Sequence, residues 1–467
     1  MIRTTLQQAA EWCGAIRLLP DEGAGSLTFD GVSTDTRTLA PGQLFVPLVG
    51  ERFDGHAHLA AAEAAGAAGS LWQASRPLPQ TKLPLLLVDD TLAALQRLAA
   101  AYAATLRARV VGITGSNGKT TTKDLIASVL ATGYRVAKTE GNLNNHIGLP
   151  LTLLRTPADA EVLVLEMGMS GRGEISLLTR LVRPDVAVIT NVGESHLKQL
   201  GSRRNIARAK LEIAEGLKSG GALVYNGDEP LLAEELAASL LPEDARGVTF
   251  GQGAGCGVRL ASFELAPDGC RFRTADDPGF VYELPVPGRH NALNALAAVA
   301  VGRLFGLAAA QIAEGLRSAK LTGMRIEKTA ARNGALVLND AYNASPTSVR
   351  AAIELVGGLK PAGRRVLVLG DMLELGPDEA AFHADIGRLV SPDKADMLLA
   401  YGPLSAHTVR EAEKALPPGC ALHFHDKKAL IAELLARLRP DDLVLVKASR
   451  GMKLEEVVFA LQKGAVG

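Results

Sequence analysis

Short, unbroken apolar runs, each closed by a glycine, aspartate or asparagine, recur along the chain between stretches whose apolar residues fall at helical spacing. "RVVGIT", "EVLVLEMG", "DVAVITNVG" and "GALVYNGD" lie in the middle of the sequence. "ALVLND", "RRVLVLGDM", "ADMLLAYG", "ALHFHD" and "DLVLVKASRG" follow towards its end. Continuous hydrophobicity marks strands covered on both faces, and strands alternating with helices predict open, mainly parallel sheets. Earlier in the chain, "GQLFVPLVG" and "LPLLLVDD" read as strands. "HAHLAAAEAAGAAG" and "TLAALQRLAAAYAATL" read as helices, the second with Leu92, Leu95 and Leu98 on one face. Between Gly247 and Pro287 the runs shorten around an Asp268-Gly269 turn, which predicts an added antiparallel piece. The expected fold class is α/β in three domains, residues 1–108, 109–328 and 329–467.

Length supports that division, since 467 residues exceed what one core holds together. Lys+Arg and Asp+Glu both number 50, so no basic excess points to nucleic acid. No apolar run approaches the roughly 18 residues of a membrane span. The opening "MIRTTLQQAAEWCG" has no basic segment leading into an apolar one. Cys13, Cys256, Cys270 and Cys420 are scattered without metal-type pairing and read as free thiols. The expectation is a cytoplasmic enzyme, with no nucleic-acid partner and no membrane insertion.

The chemistry concentrates in "VVGITGSNGKTTTKDLIASVL". A strand, a glycine-bearing turn and Lys-Thr at a helix start aim backbone N–H groups and a helix dipole at an anion. Thr114, Gly115, Ser116, Asn117, Gly118, Lys119, Thr120 and Thr121 make this candidate phosphate loop. Lys119 would reach the terminal phosphates and Thr120 would ligate Mg²⁺. The usual six-residue interval is broken, because Ile113 stands where the first glycine belongs. A ligand-free strand-to-helix turn is the plainer alternative. Glu166 closes a strand at the edge where open sheets bind ligands, and beside phosphates its role would be Mg²⁺; a solvated turn glutamate is the alternative. His196 follows the next strand and, taken alone, is more often structural. Lys210 reads as an ordinary helix-surface lysine.

"TGSNGKTTTK", "LEMGMS", "NVGESHL", "ARAKLEI", "PGRHNALNALAA", "GMRIE" and "NDAYNASPTS", in this order, resemble the Mur ligase family, ATP-dependent amide-forming enzymes of peptidoglycan precursor synthesis. The family's shortened phosphate loop also accounts for Ile113. "EGNLNNHIGLPLTLL", "YNASP" and "GDMLELG" look like the branch that acts last, joining D-alanyl-D-alanine to UDP-N-acetylmuramoyl-tripeptide. The resemblance implies an N-terminal UDP-substrate domain, a central P-loop ATPase-like domain and a C-terminal Rossmann-like domain, in a chain expected to be a monomer. A folylpolyglutamate synthase type lacks the first domain; an ATP-binding switch would turn over ATP without either co-substrate.

Roles by residue follow from the same resemblance. ATP and two Mg²⁺ are implied, with Thr120, Glu166, His196 and Lys210 at the metals, Lys210 as an N6-carboxylysine if modified. Lys119, Glu166, His196 and Lys210 form the implied catalytic set. Asn291 and Asn294 match positions near adenine, and Arg325 and Asp340 match residues reaching ATP from the hinge and third domain. Ser33, Thr34 and Arg37 suit UDP, with Asp35 orienting Arg37. Asn142, Asn144 and Asn145 suit the muramoyl part. Asn343 and Ser345 suit the incoming dipeptide or the nucleotide, and Lys447, Ser449 and Arg450 the dipeptide's carboxylate. Each has a bland alternative as a turn, a helix cap or a solvated charge.

Overall fold

The computed structural model describes residues 1–237, 244–266 and 268–464. Among these residues the strands gather into three principal sheets, of five, nine and six strands. The first has the order Arg17–Leu19, Leu85–Val88, Gly69–Gln73, Leu44–Phe45, Val32–Ser33 and is parallel except at the edge strand Arg17–Leu19. Gly69–Gln73 is a strand the apolar pattern does not announce. "GSLWQ" holds only two large apolar side chains, and its place comes from pairing on both sides.

The central sheet runs Val136–Lys138, Val162–Glu166, Arg109–Thr114, Val186–Ile189, Ala222–Asn226, Arg246–Gly251, all parallel. It continues through Val258–Ala266, Gly269–Thr274 and Asp277–Leu284, which form an antiparallel meander. The expected antiparallel piece is thus an extension of the parallel sheet, and Arg246–Gly251 belongs to the parallel part. Arg109–Thr114 is followed in sequence by strands on one side of it and later by strands on the other. Its carboxyl end is therefore a topological switch point, where such sheets leave a crevice.

The third sheet has the order Glu327–Ala330, Leu336–Asp340, Leu443–Lys447, Arg365–Gly370, Met397–Tyr401, Ala421–Phe424, antiparallel only at its first strand. Register sets Asp340 beside Lys447 at its carboxyl edge.

Packing joins the three parts. The helix Thr91–Thr105 lies against Gly148–Arg155 of the central part, where Tyr102 Oη donates to the Thr156 carbonyl at 2.9 Å. Leu95, Leu98, Leu149 and Leu153 share one core across that seam. Burial of each such side chain contributes about 1.5–3 kcal/mol, which makes the contact a firm one. The C-terminal part meets the central part mainly through polar groups, with Leu265 of the central part packed on the C-terminal core. Ser345 Oγ donates to Asn117 Oδ1 at 2.9 Å, Thr347 Oγ1 donates to Glu194 at 2.7 Å, and Lys198 N donates to Glu374 O at 3.1 Å. A hydrogen-bonded seam separates more readily than an apolar one.

Candidate active site

The phosphate loop forms because its backbone can turn where side chains would clash. Gly118 has φ 78°, and a Cβ there would lie 2.6 Å from Asn294 Oδ1. At Gly115 a Cβ would meet Thr190 Oγ1 at 1.8 Å. The loop is held from the neighbouring strand end. Thr190 Oγ1 donates to Asn117 O at 2.6 Å, and Asn191 Oδ1 accepts from Asn117 N at 3.0 Å. The helix Lys119–Leu130 then opens with its N-terminus at the crevice.

A cavity of about 530 Å³ spreads over this loop, lined from the central domain by Lys119, Thr120, Glu166, His196, Asn291 and Asn294 among others. From the linker and the C-terminal domain, Arg325, Asp340, Asn343 and Lys447 face the same space. Asn144 and Asn145 line it too. Asn145 spends its side chain on Ile147 N and Gly148 N at a helix start, while Asn142 is exposed. Ser33, Thr34 and Arg37 are not among the lining residues and sit on the N-terminal domain. There the Arg37 guanidinium grips Asp35 at 2.6 Å, which holds that carboxyl down at about 2.

Within the cavity the polar groups are under-used. Glu166 is 2% exposed; its Oε1 accepts from Asn144 Nδ2 at 2.7 Å, and its Oε2 has no partner. Ser116 Oγ, Asn117 Nδ2 and Arg325 Nε are likewise buried and unpartnered. Buried polar atoms without partners cost free energy, so a cluster of them marks where a ligand completes the bonding. Lys119 Nζ meanwhile rests on the carbonyls of Gly115 and Ser116, at 2.8 and 3.4 Å.

Charge points the same way. Burial pushes the Lys119 ammonium down, Glu166 partly restores it, and Arg325 pushes it down further. Lys210 is fully buried and driven well below the usual lysine range, by desolvation and then by Lys119. It is not among the residues lining the cavity. His196 is lowered by burial, then by Lys119, with Glu374 opposing. Its Nδ1 stands 3.0 Å from Glu374 Oε2, off the line a hydrogen bond needs, and its backbone is left-handed at φ 64°. Lys119 and Arg325 set two cations beside the Glu166 carboxylate, a pattern suited to phosphate oxygens.

No group of three or more His, Cys, Asp or Glu able to hold a metal is present among the described residues. Mg²⁺ fits this set nonetheless, because it is commonly bound by one or two carboxylates together with phosphate oxygens and water. The orphaned Glu166 Oε2 and the buried Thr120 hydroxyl are suitable donors.

Some positions have a different business from the one their type proposes. Lys447 is committed inside its own domain, to Asp340 Oδ2 at 2.6 Å and Asn343 O at 2.9 Å. Ser345 caps the helix Pro346–Gly358 and bonds the phosphate loop at Asn117. Asn144 holds Glu166. Behind Glu166 stands a scaffold the motifs do not disclose: Thr139 Oγ1 accepts from Glu166 N at 3.0 Å, and Lys123 Nζ donates to Thr139 O at 2.9 Å. Glu374, in "GDMLELG", was legible only as part of a family signature; nothing in its spacing places it against His196.

Family models for the Mur ligase catalytic domain, the middle domain and the glutamate ligase domain match residues 28–103, 113–302 and 324–450. A UDP-N-acetylmuramoyl-tripeptide--D-alanyl-D-alanine ligase of Bacillus subtilis is 48% identical over 98% of each chain. This chain belongs to the Mur ligase family. Solved Mur ligase structures agree along the whole length. A MurF from Acinetobacter baumannii superposes with a TM-score of 0.88 at 30% identity, covering 99% of both chains. A MurF ligase from Thermotoga maritima in complex with ADP superposes at 0.81, again 30% identical, covering 93% of this chain and 97% of that one.

Proposed function

We propose that this chain is an ATP-dependent ligase that joins D-alanyl-D-alanine to UDP-N-acetylmuramoyl-tripeptide, giving the pentapeptide precursor of peptidoglycan. The observation that carries the reading is one cavity in which a phosphate loop, a half-satisfied buried carboxylate and residues of two domains converge. Full-length kinship with the Bacillus subtilis ligase supplies the substrate pair. We assign residues 1–108 to the UDP substrate, 109–328 to ATP, and 329–467 to the dipeptide and part of ATP. Ser33, Thr34 and Arg37 serve the UDP end, Asn142 and Asn145 the muramoyl part. The working compartment is the cytoplasm and the working unit a monomer; no helix among the described residues is long and apolar enough to cross a membrane.

A carboxylate is a poor acyl donor because its leaving group would be oxide. Transfer of the γ-phosphoryl of ATP to the tripeptide carboxylate gives an acyl phosphate. The dipeptide amine attacks that carbonyl and expels phosphate. The protein's part is to position anions and offset their charge. Lys119 leaves its two carbonyls for the phosphates, and the loop's N–H groups cradle them. Asn291 and Asn294 border the adenine, while Arg325 and Asp340 close over the nucleotide. Glu166 and Thr120 would hold one Mg²⁺, His196 and carbamylated Lys210 a second; the ions supply charge neutralisation on the phosphate oxygens.

Lys210 suits carbamate formation because burial, and then Lys119, favour its neutral amine, the form CO₂ requires. Lys210→Ala should lose activity by orders of magnitude and recover part of it with added short carboxylic acids. Full activity without rescue would make Lys210 a structural lysine. The function is tested by product mass. With ATP and UDP-N-acetylmuramoyl-tripeptide, supplied with either meso-diaminopimelate or lysine as third residue, the dipeptide should appear in the product as a unit. Incorporation of single amino acids instead would reassign the chain to another branch of the family.

A further inference from the structure

Lys123 is a buried charge that phosphoryl transfer leaves unused. It stands one turn after Lys119 on the helix Lys119–Leu130, so the two side chains share a face. Lys119 lines the cavity, whereas Lys123 is 1% exposed and is not among the lining residues. Lysine is almost never buried to that degree unless its ammonium is held. Two groups hold it here, the Asp124 carboxylate at 3.3 Å and the Thr139 carbonyl at 2.9 Å.

The second bond falls at a particular place. The strand Val136–Lys138 pairs in parallel with Val162–Glu166, and Thr139 N still donates to Val164 O at 3.0 Å. One step further, the parallel pattern would send Glu166 N to Thr139 O. That carbonyl is engaged by Lys123 Nζ, and Glu166 N donates to the Thr139 hydroxyl at 3.0 Å. The ladder is thus interrupted at the residue whose side chain enters the cavity.

The outcome is a carboxylate fixed from behind with one oxygen to offer. Thr139, itself fully buried, anchors the Glu166 backbone, and Asn144 Nδ2 donates to Oε1 at 2.7 Å. Oε2 is buried and unpartnered. Charge agrees with this placement: burial pushes the Lys123 ammonium down, while Asp124 and then Glu166 oppose it. Mg²⁺ demands near-ideal octahedral geometry at short distances, whereas Ca²⁺ accepts longer bonds, more ligands and both oxygens of one carboxylate. A rigid donor with a single free oxygen suits the smaller ion.

We propose that Lys123, acting through Thr139, is a positioning residue that holds Glu166 as a one-oxygen ligand and so selects Mg²⁺ over Ca²⁺ in the nucleotide complex. Lys119 and Lys123 then act along one helix face, the first on the phosphates and the second behind the carboxylate. The inference rests on the assignment of Glu166 to Mg²⁺ above. It concerns the nucleotide complex alone, before the acyl and amine substrates arrive.

The test compares wild-type protein, Thr139→Val, Thr139→Ser and Lys123→Met. Each full chain is titrated with the Mn²⁺ complex of a non-hydrolysable ATP analogue, Mn²⁺ standing in for Mg²⁺ and its bound form read by electron paramagnetic resonance. The Ca²⁺ complex of the same analogue then competes, and the metal-free analogue serves as control. Failure of wild-type protein to take up the Mn²⁺ complex would defeat the metal assignment itself, and the inference with it. Given uptake, Thr139→Val should lose about tenfold or more of the preference for the Mn²⁺ over the Ca²⁺ complex. Its affinity for the metal-free analogue should stay put, and Thr139→Ser should restore most of the preference. Lys123→Met should lose the preference as Thr139→Val does; should that variant not fold, the two threonine variants decide. A merely structural lysine would lower the melting temperature of Lys123→Met and leave the metal preference intact. That result, or wild-type preference in Thr139→Val, would overturn the proposal.

Discussion

Lys119 is parked on two backbone carbonyls, with Arg325 as a like-charged neighbour and Glu166 as its carboxylate. Its carbonyl bonds are replaceable by water, so Lys119→Ala should leave circular dichroism and melting temperature nearly unchanged. Turnover should fall by at least a hundredfold, a loss that near-normal activity would refute. His290 behaves differently. Half-buried at the start of the helix Arg289–Leu304, where it lines the cavity, it is held down at about 4 by desolvation, with Asp340 opposing and Lys447 reinforcing. A histidine depressed in the folded state binds a proton first in the unfolded chain. Stability is therefore whole above its ordinary value of about 6.5 and falls as pH drops towards 4. His290→Gln should flatten melting temperature against pH in that window relative to the parent. Parallel curves would show that His290 does not titrate with unfolding.

At the scale of elements, the helix after the phosphate loop reaches the interdomain linker. Asp124 accepts from both the N–H and the hydroxyl of Thr322, at 2.8 Å each, and from Lys138 at 2.6 Å, with Lys123 also beside it. Two residues on, Met324 and Ile326 bracket Arg325 with φ of 59° and 56°. The tie fixes the linker's base while the next residues turn Arg325 into the cavity. Asp124→Ala would leave the buried Lys123 without its carboxylate and should cost about 3–5 kcal/mol in denaturant unfolding. A change within a few tenths of a kcal/mol would mean that the network bears no load. None of this was legible beforehand, because Asp124 and Thr322 are far apart in sequence and nothing in the phosphate-loop stretch that contains Asp124 points to Thr322. What the sequence did disclose were elements with a local signature: the buried runs Val162–Glu166 and Leu443–Lys447, and the loop ahead of Lys119. Gly69–Gln73 escaped because its burial is conferred by neighbours rather than by its own pattern. Asn144 was legible as a polar loop residue but not as the support of Glu166.

The molecule as a whole joins an apolar seam to a polar one. The N-terminal and central domains share a leucine core, whereas the C-terminal domain meets the central one mainly through hydroxyls, amides and carboxylates, beside the apolar contact of Leu265. Motion should therefore occur at the second seam, about the linker that ends near Lys328. Saturating ATP and UDP-N-acetylmuramoyl-tripeptide should draw the chain together and exclude water from the activated carboxylate. Small-angle scattering should then register a smaller radius of gyration. An unchanged profile would count against closure. The central claim is that phosphate-loop chemistry here activates a carboxylate for amide formation, and the most direct test follows phosphate release from ATP with UDP-N-acetylmuramoyl-tripeptide, with and without D-alanyl-D-alanine. The account predicts sustained release only when both are present, in step with pentapeptide formation; sustained release with neither would contradict it.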